Sequence, residues 1–353
     1  MVSQNDTIAV GSRTIGPGHP CFVIAEAGVN HNGSVDRALQ LIDAAAEAGA
    51  DAVKFQTFNA SRIATKDAAQ AAYQMRNLGR QQSQLEMLTQ LELSDSAHET
   101  LVSHCRERGI LFMSTPFDEL SADLLLNLGV EIYKLPSGEM TNLPFLKYVA
   151  SKRRPLIVST GMCSLGEVEE AVSTIESIDG SEFVLLHCVS NYPADPADVN
   201  LRAMATMRAA FGRAVGYSDH TMGIEVGVAA VALGACVLEK HFTLDRSLPG
   251  PDHKASLEPT ELVQLITSIR TVESALGTGI KQATAAEKET ARAARKSLVT
   301  IAEIPAGTTL TPDLIAIKRP GTGLPPAMKP YILDRCTATT LPAGHILRME
   351  DVA

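Results

Sequence analysis

Two histidines carry the strongest chemical signal in the chain: His220 in 214-AVGYSDHTMG-223 and His241 in 236-CVLEKHFTLDRSLPGPDHKASLEP-259. Each closes a short apolar run of the kind that forms a buried strand, at the point where the strand gives way to a loop. Two neutral imidazoles at the ends of neighbouring strands can hold one divalent cation and leave coordination positions open to a substrate. Either histidine alone reads as structural. The pair, with Ser218, Asp219 and Asp252 close by in sequence, reads as a metal site. A second set of groups falls in the same kind of place: Glu26, Lys54, Gln56, Thr115, Lys134, Ser137, Ser159 and Ser190 lie toward the C-terminal ends of other apolar runs. Strands that surface at those ends would account for the hydroxyls. They account poorly for Lys54 and Lys134, because a lysine near a barrel mouth is costly to desolvate without an anionic partner. That partner is either an anionic substrate or a pair of structural carboxylates, Glu26 and Glu139.

The elements that must position these groups can be read from the pattern. Short β-type runs occur at 22–27, 52–58, 111–117, 131–137, 156–161, 183–190, 214–220 and 236–242. Amphipathic segments such as 35–49 and 165–178 separate them, the latter opened by Ser164 and Glu167 placed as a capping box. Gly49, Gly109 and Gly129 follow helical segments, where a left-handed closing residue is expected. This rhythm predicts a (β/α)8 TIM barrel, whose strand ends meet around one mouth. A doubly wound sheet is the alternative, but no GxGxxG follows the first run. Residues 59–93 form a long connection after the second strand, of the kind that serves as a lid or as a solvated insertion.

The barrel is expected over residues 1–280, followed by a charged, Ala-rich linker at 281–296 and a small β-rich domain at 297–353. That domain contains a repeat: 304-IPAGTTLTPDLI-315 aligns without gaps on 341-LPAGHILRMEDV-352. A β-turn at Pro-Ala-Gly followed by a short capped helical turn would produce both copies. The net charge of −9 speaks against a general nucleic-acid binder, although a few converging lysines can still bind an anion. Six scattered cysteines without a CxxC pair read as reduced core residues. With no signal-peptide pattern and no membrane-length apolar stretch, the expectation is a cytoplasmic protein.

The strings FVIAEAGVNHNG, AVKFQTF, STPFD, YKLPSGE, LHCVSNYP, GYSDHT, EKHFT and PGPDHKASLEP, in this order, resemble the sialic acid synthase family over nearly the whole chain. The resemblance implies a TIM barrel followed by an antifreeze-like domain, which 297–353 and its KRPGTG motif are similar to. It also implies condensation of phosphoenolpyruvate with an N-acylated mannosamine-type sugar, with release of phosphate and a requirement for Mn2+ or Mg2+. By resemblance, Lys54, Thr115, Lys134, Ser137, Ser190, Ser218 and Lys296 bind phosphoenolpyruvate, and His220 and His241 hold the metal. Gln56, Tyr192, Asp252 and Arg319 of KRPG face the sugar, and Glu139, Glu26 and Asp252 are the candidate catalytic carboxylates. Some relatives have asparagine where this chain has Ser190, so Ser190 or its neighbour Asn191 is the candidate for that phosphate contact. The family also implies a homodimer in which each small domain covers the partner's barrel.

The residue chemistry suits such a reaction in its own right. An enol carbon attacking an aldehyde needs a Lewis acid on the aldehyde oxygen, and the phosphate and carboxylate need cations and hydroxyl donors. The expected activity is that of an N-acetylneuraminate synthase, with N,N'-diacetyllegionaminate synthase as the alternative. HKASLEP leans away from the pseudaminate branch. An unrelated metal aldolase or hydrolase on the same barrel is a further possibility, since fold does not fix chemistry. A non-enzymatic carbohydrate- or ice-binding protein is the remaining one; it would have no need for two metal-type histidines beside two phosphate-type lysines.

Overall fold

A computed structural model describes residues 7–79 and 82–353. A hairpin of β1 (Ile8–Val10) and β2 (Arg13–Ile15) comes first. The eight expected strands follow as β3 (Phe22–Gly28), β4 (Ala52–Thr57), β5 (Leu111–Pro116), β6 (Tyr133–Leu135), β7 (Leu156–Ser159), β8 (Phe183–Cys188), β9 (Val215–Asp219) and β10 (Val237–His241). They form one parallel sheet in the order β5-β4-β3-β10-β9-β8-β7-β6. The last strand thus returns to pair with the first, Val237 opposite Phe22 and His241 opposite Glu26, while β5 and β6 lie side by side and close the ring.

Alternation along the strands sorts the side chains into two cores. Val23, Ala25, Val53, Tyr133, Val158, Leu185, Val215 and Leu238 face outward and pack under the helices. Phe22, Ile24, Ala52, Met113, Ile132, Ile157, Val184, Leu186 and Ala214 face inward and fill the N-terminal end of the barrel, where Ile8, Val10 and Ile15 of the hairpin join them. Continuing the inward series by steps of two leads to Glu26, Lys54, Gln56, Thr115, Lys134, Ser159, Cys188, Ser218, His220, Glu239 and His241. The interior is therefore apolar at its base and charged at its mouth, because each strand changes composition at the same height.

The helices end as the sequence predicts. Ser164 and Glu167 make the capping box of helix Leu165–Glu176, and Gly49, Gly109 and Gly129 have φ of 81°, 68° and 78°. The connection after β4 is folded into short helices, Ala60–Ile63, Ala72–Leu78 and Gln84–Thr89, ahead of helix Asp95–Arg108. Met87, Leu91, Phe58 and Val29 form a separate apolar cluster beneath it. Among the described residues, no helix is long and apolar enough to cross a membrane.

The chain divides into two compact units between Gly277 and Thr278. The second unit opens with helix Ala285–Ala294 and then pairs β11 (Ser297–Thr300) with β12 (Ile315–Lys318). Its two repeat copies have the same secondary structure up to their last residue, where Ile315 enters a strand and Val352 makes an isolated bridge. Each runs from a bridge residue through a turn with a left-handed glycine (Gly307 and Gly344, both φ 78°) to a single 3-10 turn, Pro312–Leu314 or Met349–Asp351. The copies meet at Ile304 and Leu341, which exchange reciprocal backbone hydrogen bonds of 2.8 Å each. Leu298, Leu310, Ile332 and Leu347 build the unit's own core around that junction.

Candidate active site

The inward charged residues of the barrel mouth are interlocked. Lys54 Nζ lies 2.7 Å from Glu26 Oε2 and 3.7 Å from Glu239 Oε2, and it donates to Thr115 Oγ1 at 2.9 Å. Lys134 Nζ lies 3.4 Å from Glu239 Oε1, which also accepts from Ser218 Oγ at 3.0 Å. Gln56 Nε2 donates to Glu26 Oε1 at 3.4 Å. The result is an alternating array, Glu26, Lys54, Glu239, Lys134, in which all four side chains are at most 5% exposed. Alternation is what makes four buried charges tolerable, since each is flanked by its opposite. Of the structural pairing that the sequence left as the alternative to an anionic substrate, Lys54 does lie against Glu26, but Lys134 pairs with Glu239 and not with Glu139. Glu139 sits in the 3-10 turn Ser137–Glu139, out of the strand's alternation, and accepts from Asn142 Nδ2 at 2.7 Å.

Burial and charge then compete at each group. Burial pushes Glu26 up to about 7 against the pull of Lys54. Burial acts against the charged form of Lys54, yet Glu239 and Glu26 hold it above the ordinary lysine value. For Lys134, burial outweighs the attraction of Glu239 and its pKa falls. Burial raises Asp252 to about 6, with His220 and Lys54 opposing.

The two histidines stand together at the mouth, ring centroids 5.4 Å apart, with the Tyr192 ring 4.0 Å from that of His220 and tilted by 34°. His220 Nδ1 donates to Val189 O at 2.7 Å, so the neutral ring carries its lone pair on Nε2; burial opposes its charged form, yet neighbouring Cys188 holds its pKa above the ordinary histidine value. His241 Nδ1 is buried without a hydrogen-bond partner. Burial, followed by neighbouring His220, holds His241 well below the ordinary histidine range, so its ring is neutral near neutral pH. A buried imidazole nitrogen with no partner beside a second imidazole whose neutral form has its lone pair on Nε2 is a donor set suited to a divalent cation. Among the described residues, no three or more His, Cys, Asp or Glu side chains group as metal ligands.

Next to His220, whose Nδ1 lies 3.7 Å from Cys188 Sγ, Gly161 forms the floor of a cradle of small polar groups. Its N–H donates to Ser137 Oγ at 2.9 Å. A Cβ at this position would overlap Ser190 Oγ and stand 2.8 Å from Ser137 Oγ and 3.2 Å from Cys188 Sγ. Ser159 Oγ nearby is buried without a partner. Burial would raise the Cys188 thiol, but neighbouring His220 and then Lys134 bring it down to about 7. Of the two phosphate-contact candidates, Ser190 lines the cavity, whereas exposed Asn191 accepts from the Tyr192 amide at 3.2 Å.

One cavity of about 470 Å³ holds the histidines, the charged array and the cradle, a size suited to small metabolites. Glu26, Lys54, Gln56, Thr115, Lys134, Ser137, Glu139, Ser190, Tyr192, Ser218, His220, His241 and Asp252, all named from the sequence, line it; Asp219, grouped with the histidines from the sequence, and Asn191 do not. Nor do Lys296 and Arg319. They belong to the second unit, where both are exposed and Arg319 Nε donates to Ala294 O at 3.0 Å. The 59–93 connection supplies a wall, with Ile63, Tyr73, Met87, Leu88 and Leu91 on the cavity beside Val29 and Phe58. Glu239, Cys188 and Gly161 are site residues that sequence reasoning did not single out.

The comparisons with known proteins agree with this geometry. Residues 41–281 match the NeuB family and residues 295–353 match the SAF domain. The chain is 47% identical over 346 residues to the N,N'-diacetyllegionaminic acid synthase of Legionella pneumophila, covering 97% of each chain. It is 49% identical over 305 residues to the Campylobacter jejuni protein of the same name, covering 86% of this chain and 91% of that one. Among solved structures, the N-acetylneuraminic acid synthetase of Leptospira borgpetersenii matches with a TM-score of 0.72 at 37% identity, covering 81% of this chain and 95% of that one. An eight-stranded barrel, an SAF domain and a near full-length match to synthases of this kind lead to one conclusion: the chain belongs to the NeuB family of sialic acid synthases.

Proposed function

We propose that this protein condenses phosphoenolpyruvate with an N-acylated mannosamine-type aldose to give a nonulosonic acid and phosphate, and that its acceptor is a 2,4-diacetamido-6-deoxy sugar. The observation that carries the reaction is the meeting in one cavity of anion-binding groups, Lys54, Lys134 and the Ser137–Ser190 cradle, with His220, His241 and Asp252. The acceptor assignment departs from the N-acetylneuraminate activity expected first. What supports it is the 47% and 49% identity to two diacetyllegionaminic acid synthases, together with the apolar wall of Val29, Phe58, Ile63, Met87, Leu88 and Leu91. An apolar wall suits a methyl and a second acyl group and suits a 6-phosphate poorly.

The residues divide the work as follows. Lys54 and Lys134 neutralise the carboxylate and phosphate of phosphoenolpyruvate, and the hydroxyls of Ser137, Ser190, Thr115 and Ser218 orient its oxygens. His220 and His241 would hold a divalent cation, Mn2+ or Mg2+, which supplies a Lewis acid for the acceptor's aldehyde oxygen. Carbon 3 of the enol forms the new bond to the aldehyde carbon, water adds at carbon 2, and the carbon–oxygen bond to phosphate breaks. The two protons of water must be relayed, one to the oxygen of the former aldehyde and one to the departing phosphate, and Asp252 at about 6 and Glu26 at about 7 are buried carboxylates poised to carry them near neutral pH. Glu139, at the cradle's edge, is the third candidate. Gln56 and Tyr192 flank the acceptor, while Lys296 and Arg319 keep the ligand-binding roles implied by family resemblance. A cytoplasmic homodimer completes the proposal.

Phosphate release from phosphoenolpyruvate is the test. It should require both a metal and an acceptor, and the 2,4-diacetamido-6-deoxy sugar should give the highest kcat/KM, with product mass confirmed by spectrometry. A higher kcat/KM with N-acetylmannosamine or its 6-phosphate would overturn the acceptor assignment. Turnover without phosphate release would point to an aldolase and overturn the reaction.

A further inference from the structure

One buried ion pair lies immediately behind the two histidines and takes no part in lining the cavity. Asp219 and Lys240 are register partners on β9 and β10, one residue before His220 and His241 respectively. Because strand side chains alternate, this pair faces outward while the histidines that follow face inward. Neither side chain has any exposure. Lys240 Nζ donates to Asp219 Oδ2 at 2.8 Å and to the backbone carbonyl of Thr221 at 2.5 Å. Asp219 Oδ1 accepts from both the backbone N–H of Thr221 at 2.9 Å and its hydroxyl at 2.8 Å. The residues on either side of His220, Asp219 and Thr221, are thereby both bound to the residue that precedes His241.

Nothing about holding two strands together calls for this arrangement. The next outward rung toward the barrel base is Leu238 opposite Tyr217, an apolar pair. Buried ion pairs are weak sources of stability, and well-packed apolar residues in their place are often as good or better. An apolar pair could not engage the N–H, hydroxyl and carbonyl of Thr221. The ion pair therefore does something geometric: it sets where the chain turns after Asp219, and so where the His220 ring stands relative to His241. Helix Glu225–Ala232 closes over it, with Gly227 so near that an added Cβ would stand 3.3 Å from Asp219 Oδ2.

We propose that the Asp219–Lys240 pair, with Thr221, is a positioning device that fixes the separation of His220 and His241 and thereby their joint affinity for a divalent cation. This rests on the reading of the two histidines as a cation site. Groups behind metal ligands typically contribute 10- to 100-fold in metal affinity.

The test is Mn2+ binding to the metal-free, full-length chain, followed by the electron paramagnetic resonance of free Mn2+, with no substrate present. Asp219→Asn combined with Lys240→Met replaces the ion pair by neutral groups of similar shape. If it folds by circular dichroism, it should bind Mn2+ about 10- to 100-fold more weakly, while its calorimetric affinity for phosphoenolpyruvate stays within about threefold. Thr221→Val is the milder companion, expected to weaken Mn2+ several-fold. A folded double variant that binds Mn2+ as tightly as the unsubstituted chain overturns the proposal. Should the double variant not fold, unchanged Mn2+ affinity in Thr221→Val overturns it instead. His220→Ala separates the two levels: if it binds Mn2+ as well as the unsubstituted chain does, the cation-site reading itself fails, and the proposal with it.

Discussion

Gly161→Ala is the sharpest probe of the anion-binding cradle. Gly161 does not occupy the left-handed backbone region, so alanine meets no conformational penalty there and the effect is purely steric. The new Cβ would overlap Ser190 Oγ and stand 2.8 Å from Ser137 Oγ. Both are short, rotatable side chains, so the fold accommodates the methyl by turning the hydroxyls away, at a stability cost of about 1–3 kcal/mol. The turned hydroxyls no longer face the cradle. Losing one hydroxyl donor to a charged oxygen costs about 1.5–3 kcal/mol, which is a rise of about 10- to 150-fold in the KM for phosphoenolpyruvate. Steady-state phosphate release measures that KM, and calorimetry measures the affinity without turnover. The acceptor KM should move little. A folded Gly161→Ala protein whose phosphoenolpyruvate KM stays within about threefold of the unsubstituted enzyme would refute the assignment of this cradle to phosphate.

Further outcomes follow from the same geometry. His220→Ala and His241→Ala should each retain less than about a tenth of the activity with little loss of thermal stability; substantial residual turnover in either would remove the histidines from the chemistry. Lys54→Met and Lys134→Met should raise the phosphoenolpyruvate KM or collapse kcat while sparing acceptor affinity, and unchanged calorimetric affinity in both would return these lysines to a purely structural role. Asp252 has its carboxyl raised from 3.8 to about 6, so the folded state favours the protonated form. That preference stabilises the fold fully below 3.8 and is lost as pH rises through about 6, where the buried group ionises. Asp252→Asn should therefore gain thermal stability relative to the unsubstituted chain above that range, with the gap closing in acid; a gap independent of pH would contradict the burial argument.

Much of this site could be read in the sequence, because barrel strands report their own register. In 52-AVKFQTF-58 the apolar run places Lys54 and Gln56 on the inward face with Ala52, and the same step of two delivers Thr115 and Ser218 to the mouth. Glu239 was legible by that logic and was passed over. In 236-CVLEKHF-242 it shares a face with His241, while Lys240 takes the opposite one. Two adjacent charges inside an apolar run hid the fact that they serve different sides of the wall. The pairing of Lys134 could not be read, since it depends on Glu139 leaving the strand pattern through a 3-10 turn. Gly161 was invisible for another reason: its importance lies in what a side chain would strike on β6 and β8 loops far along the chain. The short helices of 59–93 span four to seven residues, too few for a helical period to show. The small unit's repeat, by contrast, was fully visible, because both copies use the same Pro-Ala-Gly turn.

The alternating array at the barrel mouth also has a thermodynamic consequence for substrate uptake. Its two lysines and two glutamates roughly cancel, so the cavity offers an incoming anion little surplus positive charge. Glu26, already near 7, is the member whose charge is easiest to give up. A phosphate or carboxylate arriving beside Lys54 would raise Glu26 further, and the cavity would become cationic by drawing a proton from the solvent. Binding of phosphoenolpyruvate above neutral pH should then be accompanied by net proton uptake. Isothermal titration in buffers of different ionisation enthalpy would show it as a linear dependence of the apparent binding heat on the buffer, and Glu26→Gln should flatten that line. The enzyme would in this way carry a built-in preference for slightly acid conditions at the binding step, set by the carboxylate that shares a lysine with its substrate and not by the substrate itself.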